Sequence, residues 1–117
     1  MALAATVVTA LIALLHLYIL VLEMFLWDKP AGRRAFGMSL EQAQATKTLA
    51  ANQGLYNGFL AAGLLWGVAT DRQDVALFFL GCVTLAALYG AWSVSRRIFY
   101  VQGVPALLAL AATLLAG

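Results

Sequence analysis

Charged residues are scarce in this sequence, at 10% of its 117 residues, whereas hydrophobic residues make up 64%. An ordinary soluble domain has about a quarter charged residues, so the composition excludes that class. The single cysteine, Cys82, excludes a disulfide scaffold and a multi-cysteine metal site. Two prolines and ten glycines without a period exclude a collagen-like chain. The seven basic residues are too few and too scattered to follow a phosphate backbone, which excludes nucleic acid as a partner.

Long apolar runs dominate instead, and the mean hydropathy is +0.92. A helix needs about 20 mainly apolar residues to cross the hydrocarbon core of a bilayer. Four runs are long enough, and none alternates as the strands of a membrane barrel do. We predict an all-α fold, a four-transmembrane-helix bundle that forms a single domain over residues 1–117, with helices at about 3–27, 40–69, 75–94 and 98–115.

The second helix is predicted to begin before its membrane span. Ser39 and Gln42 have the spacing of a capping box, which indicates a helix start at Leu40. The first turns are polar, so only residues 49–69 are expected inside the bilayer. Residues 30–38 contain two glycines and two arginines, which favours a flexible basic loop near headgroups and makes membrane lipids a predicted partner.

The basic residues lie mainly on one side of the predicted membrane. The turn after the second span holds only Arg72. The connectors after the first and third spans hold the other six, which are Lys29, Arg33, Arg34, Lys47, Arg96 and Arg97. Because basic residues resist translocation, we expect these connectors in the cytoplasm and both the N and C termini on the extracytoplasmic side. The prediction is a multi-pass protein of the inner (cytoplasmic) membrane.

The first helix carries two ionisable side chains, which are costly inside a bilayer. His16, Glu23 and Trp27 share one helix face, and the two ionisable groups are about 10 Å apart along the axis. Two interpretations are open. The pair could handle protons, because histidine titrates near neutral pH and burial raises the pKa of a carboxyl. In the other, both are packing residues, with His16 bonded to a carbonyl or to Asn57 and Glu23 paired with Arg33, Arg96 or Arg97.

The second helix carries the most polar patch, formed by Asn52, Gln53, Tyr56 and Asn57 in its cytoplasmic half. The outer halves of the helices hold no comparable group. We therefore predict a polar cavity that opens to the cytoplasm or the inner leaflet. Its candidate ligand-binding residues are Trp27, Asn52, Gln53, Tyr56, Asn57, Tyr89, Ser93 and Arg96, with His16 and Glu23 as the catalytic, proton-handling candidates.

Structural roles compete with each of these assignments. Amide side chains can join helices by hydrogen bonds of about 1 kcal/mol each, Trp27 and Tyr89 can belong to an interfacial aromatic belt, and Arg96 can serve only as a topology signal. One histidine and one carboxylate are too few for zinc, so no metal site is predicted. No cofactor fingerprint is present either.

Glycines on the second helix recur at intervals of four residues, as Gly54 with Gly58 and Gly63 with Gly67. Such spacing permits close approach of helix backbones in lipid. The seam could lie within the bundle or between subunits. A homo-oligomer formed through these glycine faces is therefore one prediction.

Three functions fit these features. The first is binding of a small amphipathic or lipid-like molecule in the cavity, with proton-transfer chemistry such as an isomerisation if the protein is an enzyme. The second is a small proton-coupled exporter that acts as an oligomer and uses the membrane carboxylate Glu23. The third is an accessory subunit that binds other membrane proteins through its glycine faces.

Three segments carry a family resemblance: HLYILVLEMFLW in the first helix, the basic loop with Arg33, Arg34 and Phe36, and NQGLYNGFLAAGL in the second helix. The chain resembles a bacterial family of small four-helix integral membrane proteins of unknown function, grouped loosely with DoxX-like proteins. The resemblance covers most of the chain and implies a bacterial inner-membrane location, but it implies no reaction. The motif positions it indicates are His16, Glu23, Trp27, Asn52, Gln53, Tyr56 and Asn57.

Overall fold

The structure is a computed structural model that describes residues 1–116, and this part of the chain contains helices and no strand. The predicted all-α class is confirmed. In chain order the helices are α1 (Leu3–Met24), α2 (Pro30–Phe36), α3 (Leu40–Ala69), α4 (Gln73–Ser93), α5 (Arg96–Ile98) and α6 (Val104–Ala116), with a π-helical turn (Phe99–Gly103) between the last two.

The basic segment after α1 is a short helix, whereas the sequence predicted a flexible loop there. Pro30 occupies the first helical position, where its fixed φ suits a helix and its missing N–H leaves no bond unmade. Gly37 ends the helix with a φ of 63°, and its backbone N–H donates to the carbonyl of Arg33. The loop prediction was wrong because a glycine two turns after a proline caps a helix as readily as it opens a loop.

The start of α3 is as predicted. The Ser39 N–H donates to Gln42 Oε1 at 3.0 Å, and the Gln42 N–H donates to Ser39 Oγ at 3.1 Å. This capping box satisfies two backbone donors that a helix end would otherwise leave open. From Leu40, α3 continues unbroken for 30 residues, which is about 45 Å at 1.5 Å per residue.

The C-terminal part contains a local widening of the helix. Pro105 has no N–H to donate to the preceding turn, and the Val104 N–H bonds to the carbonyl of Phe99, five residues earlier. A Cβ added to Gly103 would lie 3.3 Å from the Cβ of Ala87 on α4. The wider turn and the glycine together let the start of α6 approach α4 closely.

Three helical segments are long and apolar enough to cross a membrane: Leu3–Met24, Gln73–Ser93 and Arg96–Leu115. The α3 helix does not qualify, because its polar side chains between Glu41 and Asn57 lower its hydropathy. Length and composition therefore establish three candidate spans in the described chain, not the predicted four. Apolar helices of this length are typical of a membrane protein.

The chain divides into two compact units. The first unit consists of Met1–Leu14 and the chain from Leu60 onward, and the second unit is Leu15–Phe59. In the first unit, α1, α3, α4 and α6 each contribute to an apolar core formed by Ile12, Ala13, Leu64, Leu80, Val83, Ala106 and Ala109. In the second unit the buried side chains include His16, Ile19, Leu22, Ala43 and Ala50. The candidate site lies in this second unit.

Candidate functional site

In the second unit, α1 and α3 pack closely against each other at two glycines of α3. A Cβ added to Gly54 would lie 2.5 Å from Met24 Cγ and 3.1 Å from Glu23 Cβ, and one added to Gly58 would lie 2.7 Å from Leu20 Cδ1. A side chain at either glycine would therefore displace side chains of α1. The seam predicted from the four-residue spacing is therefore formed within the chain.

The other glycine pair lies in the first unit and is also used inside the chain. A Cβ on Gly63 would overlap the ring of Phe79, and one on Gly67 would lie 2.9 Å from the backbone nitrogen of Ala76. Both glycines thus contact α4 of the same molecule. A homo-oligomer stays a prediction, but these glycine faces are already covered.

Beside the Gly54 seam, one polar contact joins the two helices. Asn57 Nδ2 donates to Glu23 Oε1 at 2.6 Å and also contacts the carbonyl of Gln53 at 3.2 Å. Both side chains are half-buried. The salt bridges of the described residues do not include Glu23, so the predicted pairing with an arginine is replaced by an amide. This side-chain hydrogen bond is a specific link between α1 and α3 beside the seam.

His16 lies on α1, and its side chain is fully buried. It precedes Glu23 by two helical turns, about 10 Å along the axis. Asn57, a partner considered for it, donates instead to the carboxylate. The burial fits the packing interpretation of His16, and its proton-handling role stays a prediction.

The remaining polar residues of α3 point away from the seam. Tyr56 is 63% exposed, and Asn52 and Gln53 are exposed as well. At 100° per residue, Asn52 and Tyr56 lie about opposite Gly54, whereas Asn57 lies only about 60° from it. The patch is therefore divided, with Asn57 turned towards α1 and the other three on an outer surface. We call Asn52, Gln53 and Tyr56 the outer polar face.

The sequence predicted that these side chains line a cavity, whereas Asn52, Gln53 and Tyr56 are exposed. Two grooves in the described chain are lined by other residues, one by Trp66, Asp74, Val75, Phe78 and Phe79, and one by Pro30, Arg33, Arg34, Gly37 and Met38. The outer polar face is an open surface. Neither groove is lined by the predicted cavity residues, and the cavity itself stays a prediction.

The candidates on α4 and α5 lie in the first unit and are all exposed. Tyr89 is 68% exposed, and its ring contacts Trp92 at a centroid distance of 5.9 Å. Ser93 Oγ donates to the carbonyl of Tyr89 at 2.7 Å, a bond within the same helix. Arg96 forms no salt bridge among the described residues. These three do not form a shared pocket within their unit.

A corner where α1, α2 and α3 meet was not predicted. Trp27 Nε1 donates to Thr46 Oγ1 at 3.0 Å, and its ring lies 4.8 Å from that of Phe36. Lys47 Nζ contacts Asp28 Oδ2 at 3.2 Å, and the hydrogen bond from Lys47 lowers the pKa of Asp28. Trp27 therefore has a structural role in addition to any contact with a ligand. No local signal marks the contact with Thr46, which lies 19 residues away in sequence.

The fold and the comparisons now define the class. An all-helical chain with three apolar helices of membrane-spanning length has the character of an integral membrane protein. The sequence profile of the family described as "Protein of unknown function (DUF1304)" matches residues 10–114, so the chain belongs to that family. The expected membership of an unknown-function family is confirmed, whereas no comparison supports the looser DoxX-like grouping.

A relative carries the description "Uncharacterized protein YpaA" and comes from Lactococcus lactis subsp. lactis strain IL1403. It is 32% identical over 108 residues, which cover 89% of this chain and 91% of the relative. No solved structure matches the chain with significance. Neither the family description nor that of the relative names an activity.

Proposed function

We propose that α3 crosses the membrane beside α1, which makes four spans in the inner membrane of a bacterium. At one end of α1, the Met1 ammonium bonds to Asp71, just after α3 ends. At the other end, Asp28 forms a salt bridge with Lys47, which lies in the third turn of α3. Within each unit, the contact therefore places the part of α3 present there antiparallel to the part of α1 present there. If α1 spans the bilayer, these parts of α3 span it too, with their polar residues tolerated at the boundary.

The orientation follows from the basic residues. With four spans, Lys29, Arg33, Arg34, Lys47, Arg96 and Arg97 all fall on one side and Arg72 on the other. The positive-inside rule assigns the six to the cytoplasm and both termini to the extracytoplasmic side. The outer polar face then lies near the cytoplasmic boundary of the membrane.

The proposed function is binding of a small amphipathic or lipid-like molecule, whose polar end contacts the outer polar face. The supporting observation is that Asn52, Gln53 and Tyr56 are exposed on a membrane helix and that none of their side chains has a hydrogen-bond partner among the described residues. Leaving amide and phenol groups unpaired against lipid costs free energy, so a bound polar group stabilises this face. An apolar tail would lie along the exposed Leu55 and Phe59.

Glu23 and Asn57 have a supporting role in this proposal. Their bond fixes the rotation of α3 about its axis and thereby holds the outer polar face away from α1. If the protein is an enzyme, the same proposal includes proton transfer between Glu23 and the bound molecule. His16, which is buried on the same helix, is the second proton-handling candidate.

Proton-coupled export is the second candidate, and one observation favours it. Glu23 is a carboxylate within an apolar helix and has an amide partner but no cation among the described residues. Such a group can exchange a proton for a substrate. In proteoliposomes, Glu23→Gln would abolish proton-linked flux if this candidate is correct, and unchanged flux would exclude it.

The binding proposal is tested by mass spectrometry of the small molecules that accompany the gently purified protein. We expect a molecule in near-stoichiometric amount with the wild type and clearly less with Asn52→Ala or Tyr56→Phe. Tyr18→Phe is the matched control, because Tyr18 is equally exposed on α1 at 58% and lies outside the proposed face. Equal amounts in all four proteins would overturn the proposal. A partner protein that stays bound to every variant would support the accessory-subunit alternative instead.

A further inference from the structure

The short helix α2 has two distinct faces. Gly32 packs against the turn that follows α1, where an added Cβ would overlap the carbonyl oxygen of Leu26. Phe36, one turn later, contacts Trp27. This face is fixed to the corner of the second unit. The opposite face is formed by residues spaced three and four apart, which are Pro30, Arg33, Arg34, Gly37 and Met38.

That opposite face lines an open groove of about 480 Å³. Two arginines lie along it, and neither forms a salt bridge among the described residues. Arg34 Nε donates to the carbonyl of Pro30 at 3.3 Å, which lays its side chain along the helix. Arg33 Nε is buried and has no hydrogen-bond partner in the described chain. The guanidinium of Arg33 carries further N–H donors, and no carboxylate of the described chain forms a salt bridge with it, so an anion in the groove would supply an acceptor.

The neighbouring carboxylate does not satisfy these arginines. Asp28 Oδ2 is taken by Lys47 at 3.2 Å. The groove therefore carries two uncompensated guanidinium groups on a helix whose position is fixed by Gly32 and by the Trp27–Phe36 contact. Guanidinium groups bind phosphate in a forked, two-bond geometry that an ammonium group cannot reproduce.

We propose that the α2 groove binds a phosphate group, with Arg33 and Arg34 as its ligands, and that an anionic phospholipid headgroup supplies it. The helix directly follows a candidate membrane span, and it packs on Trp27, a residue type enriched at the level of the headgroups. Pro30 and Met38 provide apolar walls for the glycerol and the first part of an acyl chain. This site is separate from the outer polar face and does not depend on it.

The test measures lipid binding to the full-length protein in detergent by native mass spectrometry. The probes are phosphatidylglycerol, phosphatidylcholine and inorganic phosphate. We expect retention of phosphatidylglycerol above phosphatidylcholine, and a loss of affinity of about tenfold in Arg33→Gln, the size of one charge-assisted hydrogen bond. Arg33→Lys keeps the charge without the fork and should recover only part of the affinity.

Arg97→Gln is the matched control, because it removes the same charge from an exposed arginine outside the groove. We expect it to change phosphatidylglycerol binding less than twofold. If Arg33→Gln does not fold, Arg34→Gln replaces it, since Arg34 is exposed and its side chain bonds only to its own helix. Asn52→Ala should leave this binding unchanged, which separates the site from the proposed function.

Each outcome decides the proposal. Displacement of phosphatidylglycerol by millimolar inorganic phosphate would support the phosphate site and assign it to the free ion instead of the lipid. Unchanged binding in Arg33→Gln and Arg34→Gln, or an equal loss in Arg97→Gln, would overturn it, because only the general positive charge would then attract lipid.

Discussion

The two units of the chain are stabilised in different ways. The first unit has a core of branched apolar side chains, in which Ile12, Leu64, Leu80 and Val83 are all buried. The second unit also buries the branched residues Ile19 and Leu22, but it adds a glycine seam and specific polar contacts between α1 and α3, among them the 2.6 Å bond between Asn57 and Glu23. Close apolar packing suits a scaffold, whereas polar contacts on a glycine seam suit a surface that has to orient hydrogen-bonding groups. Both candidate binding surfaces lie in the second unit.

The largest effect is expected from the apolar core. Leu80→Ala removes a fully buried side chain, and we expect it to lower the free energy of unfolding by about 2–5 kcal/mol through lost contacts and a cavity. Leu85→Ala is the control, because Leu85 on the same helix is 71% exposed. Unfolding in mixed micelles with increasing SDS measures both. Similar losses in the two variants would contradict the assignment of the core.

Alanine substitutions at a glycine in the seam and at one outside it are expected to change the free energy of unfolding in opposite directions. Gly54→Ala should lower the free energy of unfolding by about 1–3 kcal/mol, because the new Cβ meets Met24 and Glu23. Gly81→Ala should raise it by about 0.5–1 kcal/mol, since nothing lies within 4 Å of a Cβ there and alanine is the better helix former. The same micelle titration checks both. A stabilising Gly54→Ala would mean that α1 and α3 are not in close contact.

The polar link predicts a smaller effect. Asn57→Ala removes the donor to Glu23, and we expect a loss of about 1 kcal/mol. Asn52→Ala should leave the free energy of unfolding nearly unchanged, because its exposed side chain has no partner among the described residues. A double-mutant cycle with Glu23→Gln measures the coupling directly. Additive effects of the two substitutions would show that the bond does not contribute.

The smallest effect concerns the corner, and it depends on pH. The pKa of Asp28 is lowered in the folded protein, mainly by the hydrogen bond from Lys47. A carboxyl with a lowered pKa stabilises the fold above its ordinary pKa and loses that contribution as the pH falls through the lower, folded value. Asp28→Asn should therefore be slightly less stable than the wild type at pH 7 and equally stable at strongly acidic pH. Thermal melts at several pH values measure this difference, and a constant gap would refute the linkage.

Local sequence signals predicted the parts of the fold that depend on neighbouring residues. The capping box of Ser39 and Gln42 was predicted correctly because both partners lie within one helical turn. The outward direction of Asn52 and Tyr56 was not predicted, because the sequence analysis placed both in a cavity. It follows from helix geometry only once Gly54 is seen to face α1.

Contacts between distant residues could not be predicted in this way. The Trp27–Thr46 and Glu23–Asn57 bonds join residues 19 and 34 positions apart, and each depends on how α1 and α3 pack. The helix α2 was missed because Gly32 and Gly37 resemble loop residues in sequence. In the structure, one glycine permits close packing on Leu26, and the other caps the helix with a positive φ.

The account depends most on α3 crossing the bilayer, since only then do its exposed amides lie at the cytoplasmic boundary. In a Cys82→Ala background, single cysteines at Glu41→Cys and Thr70→Cys can be labelled in intact cells with a membrane-impermeant maleimide; both positions are exposed at opposite ends of α3. We predict that the cysteine at position 70 reacts from outside and that the cysteine at position 41 reacts only after the cells are permeabilised. Labelling of both positions from the same side would contradict the four-span arrangement and the function built on it.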